Sequence, residues 1–249
     1  MIKAERQNLI LEYVAKDKKV LLDQLSEILN VSEDTVRRDI KELSDQGLLR
    51  AVRGGAMHRS PIPMHYRDRQ NVDVEHKKII AAKALEFIKP NMVLLVDSGT
   101  STLAAVANLP KDMQLTVVTN SFPVASVLED HPKIEVLFIG GRLNKSSFST
   151  TGYETIQTLR SIRADICFLG VCSIDLNYGV TGVDYEDSQI KKAMVETSKY
   201  IVALSTSDKL NTSESFYICA ANLLNVIVTE ADPKLVNLSD YSNAGIEIR

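Results

Sequence analysis

The sequence has few of the features that mark exported, membrane-spanning or metal-binding proteins. Its 249 residues include no tryptophan and only three cysteines, Cys167, Cys172 and Cys219. Because these cysteines lack C-x-x-C spacing and a nearby histidine, neither a disulfide framework nor a metal site is expected. No apolar run approaches the ~18 residues that cross a bilayer. We therefore expect a cytoplasmic protein that keeps its thiols reduced and has no membrane contact.

The chain also lacks an excess of positive charge. It has 29 Lys and Arg against 32 Asp and Glu, which gives a formal net charge of -3. A protein that holds nucleic acid by bulk charge would be basic, so any such contact must come from a local arrangement of cations. P-loop and G-x-G-x-x-G motifs are missing as well, and this argues against nucleoside triphosphates and dinucleotides. We expect no cofactor.

The first 57 residues predict three short helices and a hairpin. Apolar residues recur at three- and four-residue intervals over residues 2–14 and again over 22–29. Ser32 is a good N-cap for a third helix that reaches about residue 43. Residues 48–53 then alternate in polarity before Gly54 and Gly55, which predicts a wing.

The third helix presents polar and basic residues opposite its apolar face. Val36, Ile40 and Leu43 are spaced four and three apart, so the other side faces outward. Arginine there can bind guanine O6 and N7 or a phosphate. The predicted DNA contacts are Ser32, Thr35, Arg37, Arg38, Lys41 and, from the wing, Arg53. Two alternatives stay open: the arginines form the solvated face of a surface helix, or the motif contacts only proteins.

Residues 58–72 carry two prolines and few apolar positions, which predicts an extended linker. Beyond it, helical patterns alternate with short apolar runs, so βαβ units and a mostly parallel sheet are expected over residues 73–249. The helical patterns cover residues 77–88, 101–107, 122–128 and 189–197. The apolar runs cover residues 92–96, 115–118, 134–139, 166–169, 201–204 and 226–228.

The turn over residues 98–102 follows one of these runs and opens a helix. Its hydroxyls, free backbone N–H groups and helix dipole predict an anion site. Because ligands of such sheets lie beyond the carboxyl ends of the strands, Asn120, Gly140 and Gly141 are further candidates. A Ser- and Thr-rich turn can also be only an N-cap.

Both halves of the chain resemble the DeoR family of bacterial transcription regulators. The N-terminal resemblance rests on Arg6, Leu25, Val31-Ser32, Thr35-Val36-Arg37-Arg38-Asp39-Ile40, Leu43, Gly47 and Gly54-Gly55-Ala56. The C-terminal resemblance rests on Arg69, residues 75–77, Asp97-Ser98-Gly99-Thr100, Thr119-Asn120, Gly140-Gly141, Gly152, Gly179, Lys191 and Lys209. It implies an α/β protein with a small winged helix-turn-helix domain (1–57), a linker (58–72) and a larger Rossmann-like sensor domain (73–249) akin to sugar-phosphate isomerases.

The same resemblance implies that the second domain senses a phosphorylated sugar. Gly99, Thr100 and Thr102 would then hold the phosphate, Lys209 would add a cation, and Asp97 and Asn120 would meet sugar hydroxyls. The full predicted effector set is Asp97, Ser98, Gly99, Thr100, Ser101, Thr102, Asn120, Gly140, Gly141 and Lys209.

Together the two modules predict a transcriptional regulator without catalytic residues. It would repress a sugar-metabolism operon by binding double-stranded operator DNA as a homodimer or homotetramer, with a phosphorylated sugar as effector. The rival hypothesis is a sugar-phosphate isomerase-like or deaminase-like enzyme that uses Asp97 or Glu186 as a general base. The acidic residues Asp184, Glu186 and Asp187 are explained by helix-start electrostatics or, alternatively, form a lid over the pocket.

Overall fold

A computed structural model describes residues 1–58, 65–234 and 236–249. These residues form ten α-helices: α1 Lys3–Asp17, α2 Leu22–Leu29, α3 Glu33–Asp45, α4 Tyr66–Gln70, α5 Val74–Ala84, α6 Thr100–Ala107, α7 Phe122–Val127, α8 Tyr153–Arg160, α9 Tyr185–Glu196 and α10 Val236–Asn243. Short 3-10 helices cover Leu85–Phe87, Ser207–Lys209 and Ala221–Leu223.

The same residues form fifteen strands: β1 Lys19–Leu21, β2 Arg50–Val52, β3 Gly55–Met57, β4 Val93–Val96, β5 Leu115–Thr119, β6 Ile134–Phe138, β7 Arg142–Asn144, β8 Ser149–Thr151, β9 Ile166–Gly170, β10 Ser173–Asp175, β11 Gly179–Gly182, β12 Ile201–Leu204, β13 Phe216–Cys219, β14 Val226–Val228 and β15 Glu247–Ile248.

The N-terminal part packs α1, α2 and α3 around an apolar core and against a three-stranded antiparallel sheet ordered β1-β3-β2. The predicted three helices and the wing β2–β3 are confirmed. Strand β1 was not predicted, because it is three residues long and exists by pairing with β3 far along the chain. Gly55 permits that pairing: a Cβ there would lie 2.0 Å from the carbonyl oxygen of Val20.

The C-terminal part is built on a seven-stranded parallel sheet ordered β15-β14-β12-β9-β4-β5-β6. The six apolar runs of the sequence become six of these strands, so the expected α/β domain is confirmed. Successive residues of a strand face opposite sides of a sheet, and Leu94 and Leu95 accordingly belong to separate apolar cores. The chain adds strands on one side of β4 and then on the other, which makes the β4–β9 boundary a topological switch point.

Two smaller sheets flank this core and were not predicted. One is the hairpin β7–β8, and the other is an antiparallel sheet ordered β10-β11-β13. Within the expected linker, Tyr66–Gln70 is the helix α4, while residues 59–64 lie outside the described residues. No helix in the described part of the chain is both long and apolar enough to cross a membrane.

Candidate functional site

The helix α3 begins where the sequence predicted. Ser32 is its N-cap in an extended conformation, and the hydroxyl of Ser32 accepts a hydrogen bond from the backbone N–H of Thr35 at 3.4 Å. Val36, Ile40 and Leu43 are buried against the other helices. Their spacing therefore fixes which side of α3 faces solvent.

The solvent side of α3 carries the predicted cations. Arg37, Arg38 and Lys41 are exposed. The guanidinium of Arg37 pairs with Asp34 at 2.6 Å and lies 3.9 Å from Glu33. In the absence of DNA, the guanidinium of Arg37 thus has carboxylate partners within its own helix.

An open groove runs between α3 and the wing. Arg37 and Lys41 line it from the helix, and Arg53 lines it from the turn of the wing. The acidic side chains Asp23 and Glu33 line the same groove. This arrangement places three cations around a cleft that the backbone of a duplex can approach.

A second cavity lies at the carboxyl ends of β4, β9 and β12, three neighbouring strands of the large sheet. It is therefore located at the topological switch point, where ligands of such sheets bind. Its walls are Arg69, Ser98, Gly99, Thr100, Ser101, Asn144, Ser146, Ser147, Gly170, Val171, Cys172, Val183, Asp184, Asp187, Lys191, Leu204 and Lys209. Five predicted effector residues meet here: Ser98, Gly99, Thr100, Ser101 and Lys209.

We call this second cavity the effector cavity, after the five predicted effector residues that line it. The start of α6 forms one of its walls. Gly99 is the N-cap, and the first-turn N–H groups of a helix have no partner within the helix. Gly170 from β9 packs closely here, since a Cβ on Gly170 would lie 3.0 Å from the Cα of Gly99. The wall thus offers backbone donors and the positive end of a helix dipole to an anion.

Asp97 and Thr102 lie beneath that wall and are buried. Asp97 Oδ1 accepts hydrogen bonds from the backbone N–H of Gly99 at 2.9 Å and from the hydroxyl of Thr102 at 2.8 Å. Asp97 Oδ2 accepts from the ammonium of Lys191 at 2.7 Å. These contacts make Asp97 and Thr102 supports of the turn that carries the cavity residues.

Lys191 is the buried cation of the effector cavity. Besides Asp97, its ammonium reaches the carbonyl oxygen of Gly170 at 2.6 Å and the carboxylate of Asp187 at 3.5 Å. Burial lowers the pKa of Lys191, but the carboxylates of Asp187 and Asp97 outweigh it and hold the pKa above its ordinary value. Lys191 is therefore charged and joins the ends of β4 and β9 to α9.

Two further cations reach the effector cavity from other elements. Lys209 comes from the 3-10 helix after β12, and burial holds its pKa below the ordinary value. Arg69 comes from α4, whose backbone is held by Lys77, because the buried ammonium of Lys77 donates to the carbonyl oxygens of Arg69 and Val72. Burial lowers the pKa of Lys77 to about 8, and the positive charge of Lys209 adds to the shift.

Asn120, Gly140 and Gly141 are outside the walls of the effector cavity. Asn120 donates from Nδ2 to the carbonyl oxygen of Thr150 at 2.7 Å, and Gly140 accepts from the hydroxyl of Thr155 at 2.8 Å. These contacts bind the base of the hairpin β7–β8, whose turn delivers Asn144, Ser146 and Ser147 to the cavity. The structure thus gives these residues a supporting position.

Several cavity residues are not in the predicted effector set. Arg69 falls in the expected linker, and the sequence explained Asp184 and Asp187 by helix-start electrostatics or, alternatively, as part of a lid over the pocket. Asp184 does cap α9, since its carboxylate accepts from the N–H of Asp187 at 2.8 Å, but both residues also line the cavity. The sequence contained one indication that α9 contributes to a polar site: Lys191 interrupts the apolar stripe of this helix and lies four residues after Asp187.

Comparison with known families agrees with this geometry. A family model for the DeoR C-terminal sensor domain matches residues 72–231, which is more than half of the chain. A model for the DeoR-like helix-turn-helix domain matches residues 6–61.

Individual proteins extend the comparison over the whole chain. The transcriptional regulator GolR of Listeria innocua is 27% identical over 251 residues, covering 100% of this chain and 99% of that protein. The glycerol-3-phosphate regulon repressor of Escherichia coli (strain K12) is 28% identical over 234 residues, covering 94% of this chain and 93% of the repressor. A solved ribose 5-phosphate isomerase from Methanocaldococcus jannaschii aligns with 55% of each chain at 16% identity and a TM-score of 0.41.

Proposed function

The chain belongs to the DeoR family of transcription regulators, and on that premise we propose that it represses a sugar-metabolism operon and responds to a phosphorylated sugar. The effector binds in the cavity at the β4–β9 switch point. The protein acts in the cytoplasm as a homodimer or homotetramer, because symmetric oligomers match repeated operator half-sites.

The observation that carries the effector assignment is the composition of the cavity walls. Thr100 and Ser101 present the first-turn N–H groups of α6, and Arg69 and Lys209 add positive charge. Helix N-termini and paired cations are the recurrent binding groups for phosphate. We assign the phosphate of the effector to these four residues.

Other residues that line the cavity suit the hydroxyl groups of a sugar. Asp184 and Asp187 offer carboxylate oxygens, and Asn144 offers an amide. Ser98 lies beside one of them, since its hydroxyl donates to Asp187 Oδ1 at 3.4 Å. A sugar whose hydroxyl groups do not match these half-buried polar groups forms fewer hydrogen bonds with them, and this difference provides the specificity.

A thermal-shift experiment tests the effector assignment. Phosphorylated sugars should raise the unfolding temperature of the full chain, and the matching unphosphorylated sugars should not. A ligand at about 100 times its Kd adds about 2.7 kcal/mol to stability. Lys209→Met should remove the shift, while Lys192→Met, an exposed lysine on α9, should keep it. Equal shifts with both kinds of sugar would refute a phosphate site.

The groove between α3 and the wing supports the DNA assignment. Arg38 and Lys41 lie on the exposed side of α3, and Arg53 lies across the groove on the wing. Because the DNA-binding domain has almost no net charge, its affinity for DNA depends on the positions of these cations. We therefore expect weak non-specific binding to DNA beside specific recognition of the operator.

Selection of duplexes from a random library tests the DNA assignment. The wild-type chain should enrich a repeated half-site, and Arg37→Ala combined with Arg38→Ala should abolish enrichment. The control is Arg160→Ala combined with Arg163→Ala, a pair of exposed arginines on the sensor domain. Retention of operator binding by the Arg37 and Arg38 double variant would exclude α3 as the reading helix.

We assign sensing rather than turnover to the effector cavity. The two carboxylates considered as general bases are already engaged: Asp97 by Lys191, Thr102 and Gly99, and Glu186 by Arg142 and Thr151. A general base needs a lone pair within reach of the proton it removes. Purified protein should therefore leave hexose and pentose phosphates unchanged, and measurable isomerisation or deamination would favour the enzyme hypothesis.

A further inference from the structure

The DNA-binding domain touches the sensor domain through its wing and through the adjacent strand β1. Arg50, the first residue of β2, donates from Nη1 to the hydroxyl of Ser215 at 2.9 Å. The ammonium of Lys19, on β1, lies 5.5 Å from the centre of the Tyr178 ring. We call these two pairs of residues the wing–sensor contact.

The wing–sensor contact leaves the DNA-facing cations uncovered. A groove between the two domains is lined by Ala51 and Val52 on the wing and by Thr181, Ser213 and Tyr217 on the sensor domain. The side chains of Arg38, Lys41 and Arg53 are outside this groove and are exposed. The docked DNA-binding domain can therefore still approach a duplex.

One segment of the sensor domain reaches both the effector cavity and the wing. Residues 207–215 begin at the 3-10 helix that carries Lys209 into the cavity and end at Ser215. The hydroxyl of Thr212 donates to the carbonyl oxygen of Lys209 at 2.7 Å, and the N–H of Glu214 donates to the hydroxyl of Thr181 at 2.7 Å. Hydrogen bonds therefore order the segment both next to Lys209 and next to Ser215.

The middle of this segment is anchored to the rest of the sensor domain. The backbone N–H of Asn211 donates to the phenol oxygen of Tyr241 at 3.1 Å, and Leu210 forms a parallel bridge with Ile174. Asn211 has a φ of 59°, in the left-handed region that few residues adopt. These contacts pack the segment against the sensor domain, and packed elements shift between discrete arrangements rather than deform continuously.

We propose that residues 207–215 couple the effector cavity to the wing, and that the Arg50–Ser215 hydrogen bond holds the DNA-binding domain in its operator-binding orientation. Contact between the two domains restricts the orientations that the DNA-binding domain could adopt on its linker. Because less freedom is then lost on binding, this preorganisation strengthens binding to DNA. The effector half of the proposal rests on the proposed function: a phosphate bound at Lys209 shifts the segment and changes the hold on Arg50.

Charge substitutions at Ser215 test the contact without altering the DNA-facing surface. Ser215→Asp should strengthen the bond to Arg50 and tighten binding to a library-selected duplex, and Ser215→Lys should weaken it, each about two- to five-fold. Overall charge predicts the reverse order, because a negative charge repels DNA. Both effects should vanish in an Arg50→Met background, and Ser242→Asp on α10 is the charge control. The reverse order, or an effect that survives Arg50→Met, would overturn the proposal.

Hydrogen exchange tests the same contact in the absence of DNA. The backbone amides of β2 should exchange faster in Ser215→Lys than in the wild type, and no faster in Ser215→Asp. Equal exchange in all three proteins would also overturn the proposal.

Inorganic phosphate, at ionic strength held constant with potassium chloride, distinguishes a failure of the coupling from a failure of the proposed function. Phosphate should stabilise both the wild type and Arg50→Met, but it should change DNA affinity only in the wild type. Stabilisation together with an equal change in DNA affinity in both proteins would refute the coupling. If phosphate stabilises neither protein, both the proposed anion site and the proposed effect of phosphate on residues 207–215 are refuted. The order of DNA affinities among the Ser215 variants then still tests the Arg50–Ser215 hydrogen bond.

Discussion

The guanidinium of Arg6 donates from Nε to Oδ2 of Asp39 at 2.5 Å, and this ion pair joins α1 to the inner side of α3. Both side chains are largely withdrawn from solvent, with exposed fractions of 12% and 3%. Together with the apolar face of α3, the pair therefore fixes how α3 packs on α1.

Asp39→Asn should destabilise the DNA-binding domain, because the amide oxygen of Asn can accept only part of the hydrogen bonds from Arg6 and carries no negative charge to pair with its guanidinium. The expected loss in the free energy of unfolding is about 1.5–3 kcal/mol, as for hydrogen bonds to charged groups. Lys3 and Glu42 provide the matched control, since they form an exposed pair 2.6 Å apart between the same two helices. Lys3→Met should lower the free energy of unfolding by less than Asp39→Asn does, as measured in urea, because water already screens the exposed pair. Equal losses would show that the buried pair stabilises the packing of α1 on α3 no more than the exposed pair does.

Lys191→Met should destabilise the sensor domain and abolish effector binding. The substitution leaves the carboxylate of Asp97 buried without its cation, and breaking a buried pair in this way costs about 3–5 kcal/mol. The neighbouring Lys192 is exposed, so Lys192→Met should change the free energy of unfolding little. A Lys191→Met protein as stable as Lys192→Met would contradict the role of the buried ion pair.

The stabilisation from Lys191 should not vary with pH near neutrality. Because its pKa in the folded chain lies above the ordinary value of 10.5, the contribution is fully present below that pH and is lost as pH rises through the folded pKa. The difference in unfolding free energy between the wild type and Lys191→Met should be constant from about pH 6 to 9. A marked slope across this window would show that another group controls the effect.

Lys77 should make stability rise with pH at alkaline values. Its pKa falls from 10.5 to about 8 in the folded chain, so between these values the unfolded chain holds a proton that the folded chain lacks. The free energy of unfolding then increases with pH across this range. Urea titrations should show that Lys77→Met removes this increase, whereas Lys78→Met, at an exposed neighbour paired with Glu75, should retain it.

Cys172 should react with a thiol reagent before the other cysteines, because it is partly exposed in the effector cavity while Cys167 and Cys219 are buried. Burial raises the pKa of the Cys219 thiol to about 12 and that of Cys167 further, so both lack thiolate near pH 8. Cys172→Ser should abolish the fast phase, and a bound sugar phosphate should slow it. A fast phase that is unchanged in Cys172→Ser would place the reactive thiol elsewhere.

Local patterns were sufficient to predict most of the secondary structure. The four-and-three spacing of Val36, Ile40 and Leu43 located α3, and short apolar runs between helical patterns located six strands of the large sheet. These features depend on neighbours within a few residues. The two-residue β15 and three-residue β1 escaped detection, because strands this short exist only through partners distant in sequence.

The sequence by itself determined that a turn at residues 98–102 opens a helix after a strand, and that arginines occupy the solvent side of α3. Only the tertiary structure decided which groups line the effector cavity. In the folded chain, Asp97 and Thr102 are buried and support the turn, and Arg69 and Asp184 line the effector cavity. Lys191 lies between carboxylates. The physical reason is that burial and charge pairing depend on contacts between elements far apart along the chain, which no local pattern records.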